Sequence, residues 1–372
     1  MYTDFAAMQP ARRMAWEHEA YKQFQDEFFF TDWLGEGQSA IIEHVKELSL
    51  NAAKGTSGAY LHLIADLHGG GIVGDNELEG RERRMDASFQ EIIIDQLRNG
   101  VRNKGKMNDV RSIFNFRKVG KEKLGRWMAE TVEEQLILTA SGVSYGLNLD
   151  GSPRNTPAGQ DPWTALDYAA DVRPPSPGRH LRWDSATKSF LPGDTAAIDN
   201  TDKVTYEFMP QLYALAQRRG LKPLRVGGED FYVYLCAGEE EAALWIDPNF
   251  RNTVVNAGDR GRKNPLFNKG KLTMHNILMV PYRKVFTTLG AAAGSKWGAS
   301  GDVNGSRSLL MGAQALAFAD IKLPEWEEET FDYKNVQGIA IQKMFGILKP
   351  QFPDGVTGTT EDFGVIAIDK AI

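Results

Sequence analysis

Period-two alternation marks the most legible stretch of the chain. From Tyr60 to Leu67, Leu61, Leu63, Ala65 and Leu67 fall on one face and Tyr60, His62, Ile64 and Asp66 on the other, as in a strand with one buried side. A second β-rich run, Phe89 to Arg98, is carried by Ile92, Ile93 and Ile94, while Glu91, Asp95 and Arg98 interrupt both of its faces. Between the two lies a glycine- and charge-rich excursion from His68 to Arg84, far longer than the roughly two to five residues of an ordinary hairpin loop. Such a segment either finds a partner that orders it or stays a solvated loop. Eight paired residues reach about 26 Å, so the hairpin is long enough to lie across a neighbouring molecule. Its closely spaced charges, Glu77, Glu79, Arg81, Glu82, Arg83 and Arg84, suit pairing between identical copies and are the candidate subunit-interface residues.

The period then changes. Over Lys118 to Thr139, Leu124, Trp127, Met128, Val132 and Leu136 are spaced by three and four, with Lys121, Glu122, Lys123, Arg126, Glu130, Glu133 and Glu134 elsewhere on the cylinder. This predicts one amphipathic helix roughly 30 Å long, stopped by Gly142.

Elsewhere the pattern is coarser. Residues 1 to 54 read as two helical patches, Met14 to Phe28 and Ser39 to Leu50, joined at Gly35-Glu-Gly37, and suit an arm laid over another surface. From Gly151 to Asp202 the chain is rich in Pro, Gly and polar residues, which predicts a long loop with a small hairpin. A helix over Val204 to Arg219 ends at Gly220, with Pro210 starting or kinking it. There follow a strand over Phe231 to Ala237, a helix over Glu239 to Trp245, an extended run from Met274 to Phe286 and a helix over Leu309 to Phe318. Strands over Val336 to Ile347 and Phe363 to Ile368 close the chain, and the whole predicts an α+β fold.

Composition narrows the classes. At 372 residues and 42% hydrophobic content the chain can bury a sizeable core. A formal charge of −6 argues against a protein devoted to gripping nucleic acid. One cysteine, Cys236, excludes an internal disulfide framework and fits a reducing compartment; its place in an apolar strand predicts a buried thiol. No signal-like N-terminus and no run near the ~18 apolar residues of a membrane span are visible, so synthesis and assembly in the cytosol, with no membrane partner, is the expectation.

Candidate chemistry is sparse. His68-Gly-Gly-Gly71 matches an oxyanion-loop pattern, yet the nearest nucleophile elbows, Gly55-Thr-Ser-Gly-Ala59 and Gly298-Ala-Ser-Gly-Asp302, lack the final glycine, so a cytosolic hydrolase is disfavoured. Gly35-Glu-Gly37-Gln-Ser-Ala40 fits a loose dinucleotide fingerprint without a convincing preceding strand. The six histidines are scattered, and Asp302-Val-Asn304-Gly-Ser306 lacks the glycine and glutamate of a calcium loop, so no metal, cofactor or catalytic residue is assigned. Glu325, Glu327, Glu328 and Glu329 around Trp326, and the basic run Arg260, Arg262 and Lys263, read as solvated faces, with subunit contact and packaged-DNA contact as the sharper alternatives.

Several blocks resemble a family of tailed-phage major capsid proteins: Gly74-Asp-Asn-Glu-Leu-Glu-Gly-Arg-Glu82, Ile94-Asp-Gln-Leu-Arg-Asn-Gly100, Gly105-Lys-Met107, Leu309 to Ala319, Phe331 to Ala340, Phe345-Gly-Ile347 and Asp362 to Ile368. They run in order from about residue 55 to the end of the chain. The resemblance implies the Hong Kong 97-type major capsid fold, with residues 1–54 as N-terminal arm, 55–107 as extended loop, 108–200 as peripheral domain with spine helix and long loop, 201–320 as axial domain and 321–372 returning to the peripheral domain. It implies a non-enzymatic coat protein, found in the virion capsid, whose copies form pentamers and hexamers around packaged double-stranded DNA. Expected partners are further copies, a separate scaffolding protein, a portal, decoration proteins and non-specifically contacted DNA. An encapsulin-like compartment shell is the structural alternative. Some relatives of the fold crosslink through a lysine in the extended loop, but no lysine lies between Lys54 and Lys104, so that chemistry is not expected here.

Overall fold

The computed structural model describes residues 28–37, 39–45, 59–64, 71–79, 81, 87–112, 115–226, 228–256, 272–321, 324–353 and 359–372. Two sheets share one long helix. The larger has nine strands, in the order Leu272–Met274, Ile277–Pro281, Glu229–Cys236, Gly305–Met311, Val365–Ala371, His180–Asp184 and Ser189–Pro192, with Phe286–Thr287 and Leu224–Val226 paired alongside. The smaller has six: Leu34–Gly35, Ile42–Val45, Leu316–Asp320, Val336–Leu348 and Glu325–Phe331 in order, with Asp95–Arg102 on the other edge of Val336–Leu348.

The spine helix runs Phe116–Ser141. Asn115 Oδ1 accepts from Lys118 N at 3.2 Å and caps its start. Gly142 ends it at φ 65°, a left-handed conformation that glycine adopts without penalty. Leu124, Met128, Val132 and Leu136 are buried as the spacing predicts, and Trp127 packs at the margin. The helix bridges the sheets: its core cluster includes Ile339, Ile341 and Phe345 of the smaller sheet and Val233, Leu235, Leu309 and Met311 of the larger. The opposite face of the larger sheet, through Tyr234, Leu310, Ile366 and Ile368, is covered by Phe208, Leu212 and Leu215 of the helix Phe208–Arg218. Because both faces are covered, its central strands carry short continuous apolar runs, Tyr232 to Cys236, Leu309 to Met311 and Val365 to Ile368, rather than alternating ones.

That double burial explains the largest departure from expectation. Leu309 to Phe318, expected as a helix, is two strands in two sheets, Gly305–Met311 and Leu316–Asp320, joined by four buried residues. Leu, Met, Ala and Gln all favour helix, and tertiary packing overrides them. Likewise Ile42–Val45, expected within a helical patch, is a strand held in parallel between Leu34–Gly35 and Leu316–Asp320; residues 14–27 and 46–50 of those patches lie outside the described residues. The run Phe89 to Arg98 divides: Ala87–Ile92 pairs with Ala59–Ile64, and Asp95–Arg102 turns away to pair with Val336–Leu348. Within 151–202 the hairpin His180–Asp184 and Ser189–Pro192 extends the larger sheet. The last strand, Val365–Ala371, pairs with Gly305–Met311 in the larger sheet and does not join the smaller one. Pro210 stands in the first turn of Phe208–Arg218 and starts that helix, and Gly220 follows its end at φ 62°.

Candidate assembly interface

The hairpin Ala59–Ile64 and Ala87–Ile92 is antiparallel, with Leu61 opposite Gln90 and Leu63 opposite Ser88. Its alternation is the one read from sequence: Ala59, Leu61 and Leu63 are buried against Ala317, Ala319 and Leu348, while His62 is exposed. Beyond it the described loop residues stand in solvent. Asp75, Glu77, Glu79 and Arg81 are exposed, and Glu77, Glu79 and Arg81 form no ion pair with one another. Asn76 Nδ2 donates to Val73 O at 2.6 Å and Arg81 N to Leu78 O at 3.0 Å, so the segment is shaped by local turns. Val73 is 77% and Leu78 59% exposed, an unusual display for apolar side chains in a monomer. Glu82, Arg83 and Arg84 lie outside the described residues.

The spine helix is held by buried ion pairs that sequence reading missed, because they join residues far apart in the chain. Arg307 grips Asp369 with Nε at 2.7 Å and Nη2 at 2.8 Å, and its Nη1 donates to Ser141 O at 3.1 Å, the carbonyl end of the spine helix, where a cation is favoured. His180 Nε2 lies 2.7 Å from Asp369 Oδ2. Burial alone would raise the Asp369 carboxyl, but the charge and hydrogen bonds of Arg307, with those of His180, outweigh it and hold it below the usual range. On the other side of the helix, Glu133 accepts from Phe29 N at 2.5 Å, Tyr282 Oη at 2.8 Å and Lys284 Nζ at 2.6 Å, fastening the described start of the chain to the helix. Burial, then the Glu133 charge, pushes the Tyr282 phenol up.

The motifs weighed for chemistry do not converge. Gly35 and Gly37 precede a strand, Ile42–Val45, so the loose fingerprint has no helix N-terminus for a phosphate. Cys236 is fully buried, and burial raises its thiol far above the reactive range. Glu328 accepts from Arg117 Nε at 2.7 Å and Trp326 Nε1 at 2.9 Å on an edge strand. His68, Gly69, Gly70 and the run Arg260, Arg262 and Lys263 lie outside the described residues. Among the described residues no group of His, Cys, Asp and Glu is arranged to hold a metal ion, and no helix is long and apolar enough to cross a membrane.

A spine helix shared by two sheets, with a long hairpin carrying exposed apolar and charged groups, defines the class of an interlocking shell subunit. The chain belongs to the tailed-phage family of major capsid proteins: the family described as phage capsid protein matches residues 7–372. The major capsid protein of Pseudomonas phage KPP25 is 39% identical over 370 residues, covering 99% of this chain and 97% of that one. Among solved structures, the capsid of Ralstonia phage GP4 is 26% identical with a TM-score of 0.73, covering 92% of this chain and 90% of that one. The capsid of cyanophage Pam1, 17% identical, shares the fold with a TM-score of 0.69 over 100% of this chain and 95% of that one. The Hong Kong 97-type, α+β expectation and the capsid-shell function hold, and the place of action is the virion capsid.

Proposed function

We propose that this coat protein works by geometry alone, without catalysis. Copies close into pentamers and hexamers, each receiving its neighbour's side on its own opposite side, a heterologous contact that generates rings. Many weak contacts per subunit let misplaced copies leave before the shell closes around double-stranded DNA. The smaller sheet with the spine helix forms the peripheral domain and the larger sheet the axial domain, with the final strand in the latter. The loop from Asp66 to Asp86 lies on an adjacent subunit through Glu77, Glu79, Arg81, Glu82, Arg83 and Arg84, and residues 1–54 tie further neighbours. Assembly takes place in the host cytoplasm with a separate scaffolding protein, a portal and decoration proteins, and contact with DNA is non-specific.

The observation that carries this reading is the match to major capsid proteins along nearly the whole chain, joined to a loop that exposes most of Val73 and Leu78. The test is to express the full chain and measure particle mass by size exclusion with negative-stain imaging at low and at physiological salt. Shells, tubes or five- and six-membered rings support it; a persistent monomer at high concentration, with and without scaffold, overturns it. Deleting residues 70–84 is expected to leave a folded subunit that forms no stable shell.

A further inference from the structure

We propose that the cleft between the strand Asp95–Arg102 and residues 154–166 binds a neutral saccharide chain, a role beyond shell formation. The cleft has a volume of about 780 Å³, inside the roughly 300–1,000 Å³ range of small-ligand sites. One wall is the strand, through Arg98, and the other is the loop, through Asn155, Gln160, Asp161 and Trp163. Trp127 of the spine helix completes the lining.

The loop is held at both ends. Arg154 Nε donates to Tyr145 O at 3.1 Å and its Nη2 to Leu147 O at 3.1 Å, Glu134 pairs with the same guanidinium, and its Cζ lies 3.8 Å from the centre of the Trp163 ring. Further on, Asp167 N donates to Asp95 Oδ2 at 3.0 Å, tying the loop to the strand it faces. A site fixed before its ligand arrives loses little entropy on binding.

A sugar ring presents apolar C–H faces and pairs of neighbouring hydroxyls. Indoles offer broad apolar faces for the first, and planar side chains such as those of Asn155, Gln160 and Asp161, exposed on this wall, reach two hydroxyls at once. In the lining, Arg98 and Arg154 are matched by Asp95 and Asp161, so neither a polyanion nor a polycation is favoured. An extended peptide would need the open edge of the strand, which among the described residues pairs on one side only, for ladder hydrogen bonds. Two N–H groups of that strand are already taken: Gln96 N donates to Asp95 Oδ1 at 2.6 Å and Gly100 N to Asn99 Oδ1 at 2.9 Å. A ligand that brings its own donors and acceptors, in hydroxyl groups, is therefore the favoured occupant.

The test is calorimetric titration of the full-length protein with neutral trisaccharides of glucose, galactose, mannose and N-acetylglucosamine. At least one is expected to bind, with an affinity unchanged by added salt, since no net charge is matched. Asn155→Ala with Gln160→Ala is expected to weaken that binding about tenfold, and Gln211→Ala on the helix Phe208–Arg218 to leave it unchanged. The thermal midpoint of the paired variant should match that of the parent, because both side chains are exposed. Saturation-transfer NMR should carry magnetisation from indole protons to the ring C–H protons of the bound sugar, a readout that needs no variant to fold. No heat with any of these sugars overturns the proposal, as does binding that the paired substitution leaves undiminished. Binding of a synthetic peptide of residues 1–10 that the paired substitution abolishes, with no sugar bound, overturns it in favour of a chain segment.

Discussion

The Lys370 ammonium lies 2.8 Å from the Glu240 carboxylate, and neither side chain reaches solvent. Tyr234 Oη donates to Glu240 Oε2 at 3.0 Å, and the Ser306 and Ser308 hydroxyls both donate to Oε1 at 2.5 Å, so the charge is fully hydrogen-bonded where the last strand meets the helix Gly238–Ile246. Lys370→Met leaves that carboxylate buried without its counter-charge and is expected to cost about 3–5 kcal/mol. Lys370→Met combined with Glu240→Leu should cost markedly less, because no charge is left behind. Urea unfolding of both variants measures the difference.

Asp369 predicts the acid limit of the subunit. Its carboxyl is held below the usual range in the folded state, so the stability drawn from Arg307 is present above the unfolded value of about 3.9 and is lost as pH falls through the lower folded value. The thermal midpoint should be flat above pH ~5 and fall below pH ~4. Asp369→Asn should lower the plateau and shallow that acid limb, read by thermal unfolding across pH.

Leu136 is fully buried on the spine helix at the junction of the two sheets. Leu136→Ala opens a cavity there and is expected to cost about 2–5 kcal/mol. The same change at exposed Leu289 should cost little. Chemical denaturation of the two variants side by side is the check.

Gly312 separates helix from strand at the segment the sequence misassigns. A helix over Leu309 to Phe318 would gain about 1 kcal/mol from Gly312→Ala. In the observed fold a Cβ at that position would overlap Lys222 O, so the variant is expected to lose stability. A raised thermal midpoint would contradict the strand assignment.

Legibility followed locality. The first half of the spine helix and the first strand of the hairpin were readable because each has one buried face, so periodicity survives in Leu124, Met128 and Val132 and in Leu61 and Leu63, whereas Gln135 to Ser141 at the end of the helix are buried throughout. The strands of Leu309 to Phe318 were not, because burial on every side erases periodicity and leaves propensity, which pointed to helix. Ile42–Val45 is too short to carry a pattern and takes its form from the strands on either side. Of the candidate interface, the exposed charges Glu77, Glu79 and Arg81 were visible in the composition of the loop.

The joint between the two sheets has a mechanical meaning. Gly312, Ala313, Gln314 and Ala315 are buried, and their backbone N–H groups are held by Gly364 O, Lys222 O, Ala40 O and Ile41 O at 2.8 to 2.9 Å, four anchors from three separate stretches of chain. There is no slack here to act as a hinge. Tension applied to one sheet passes directly into the other, loading hydrogen bonds in shear rather than extending a linker. Each subunit therefore bears stress as a stiff plate, and any change in the curvature of the shell has to be absorbed at the seams between plates.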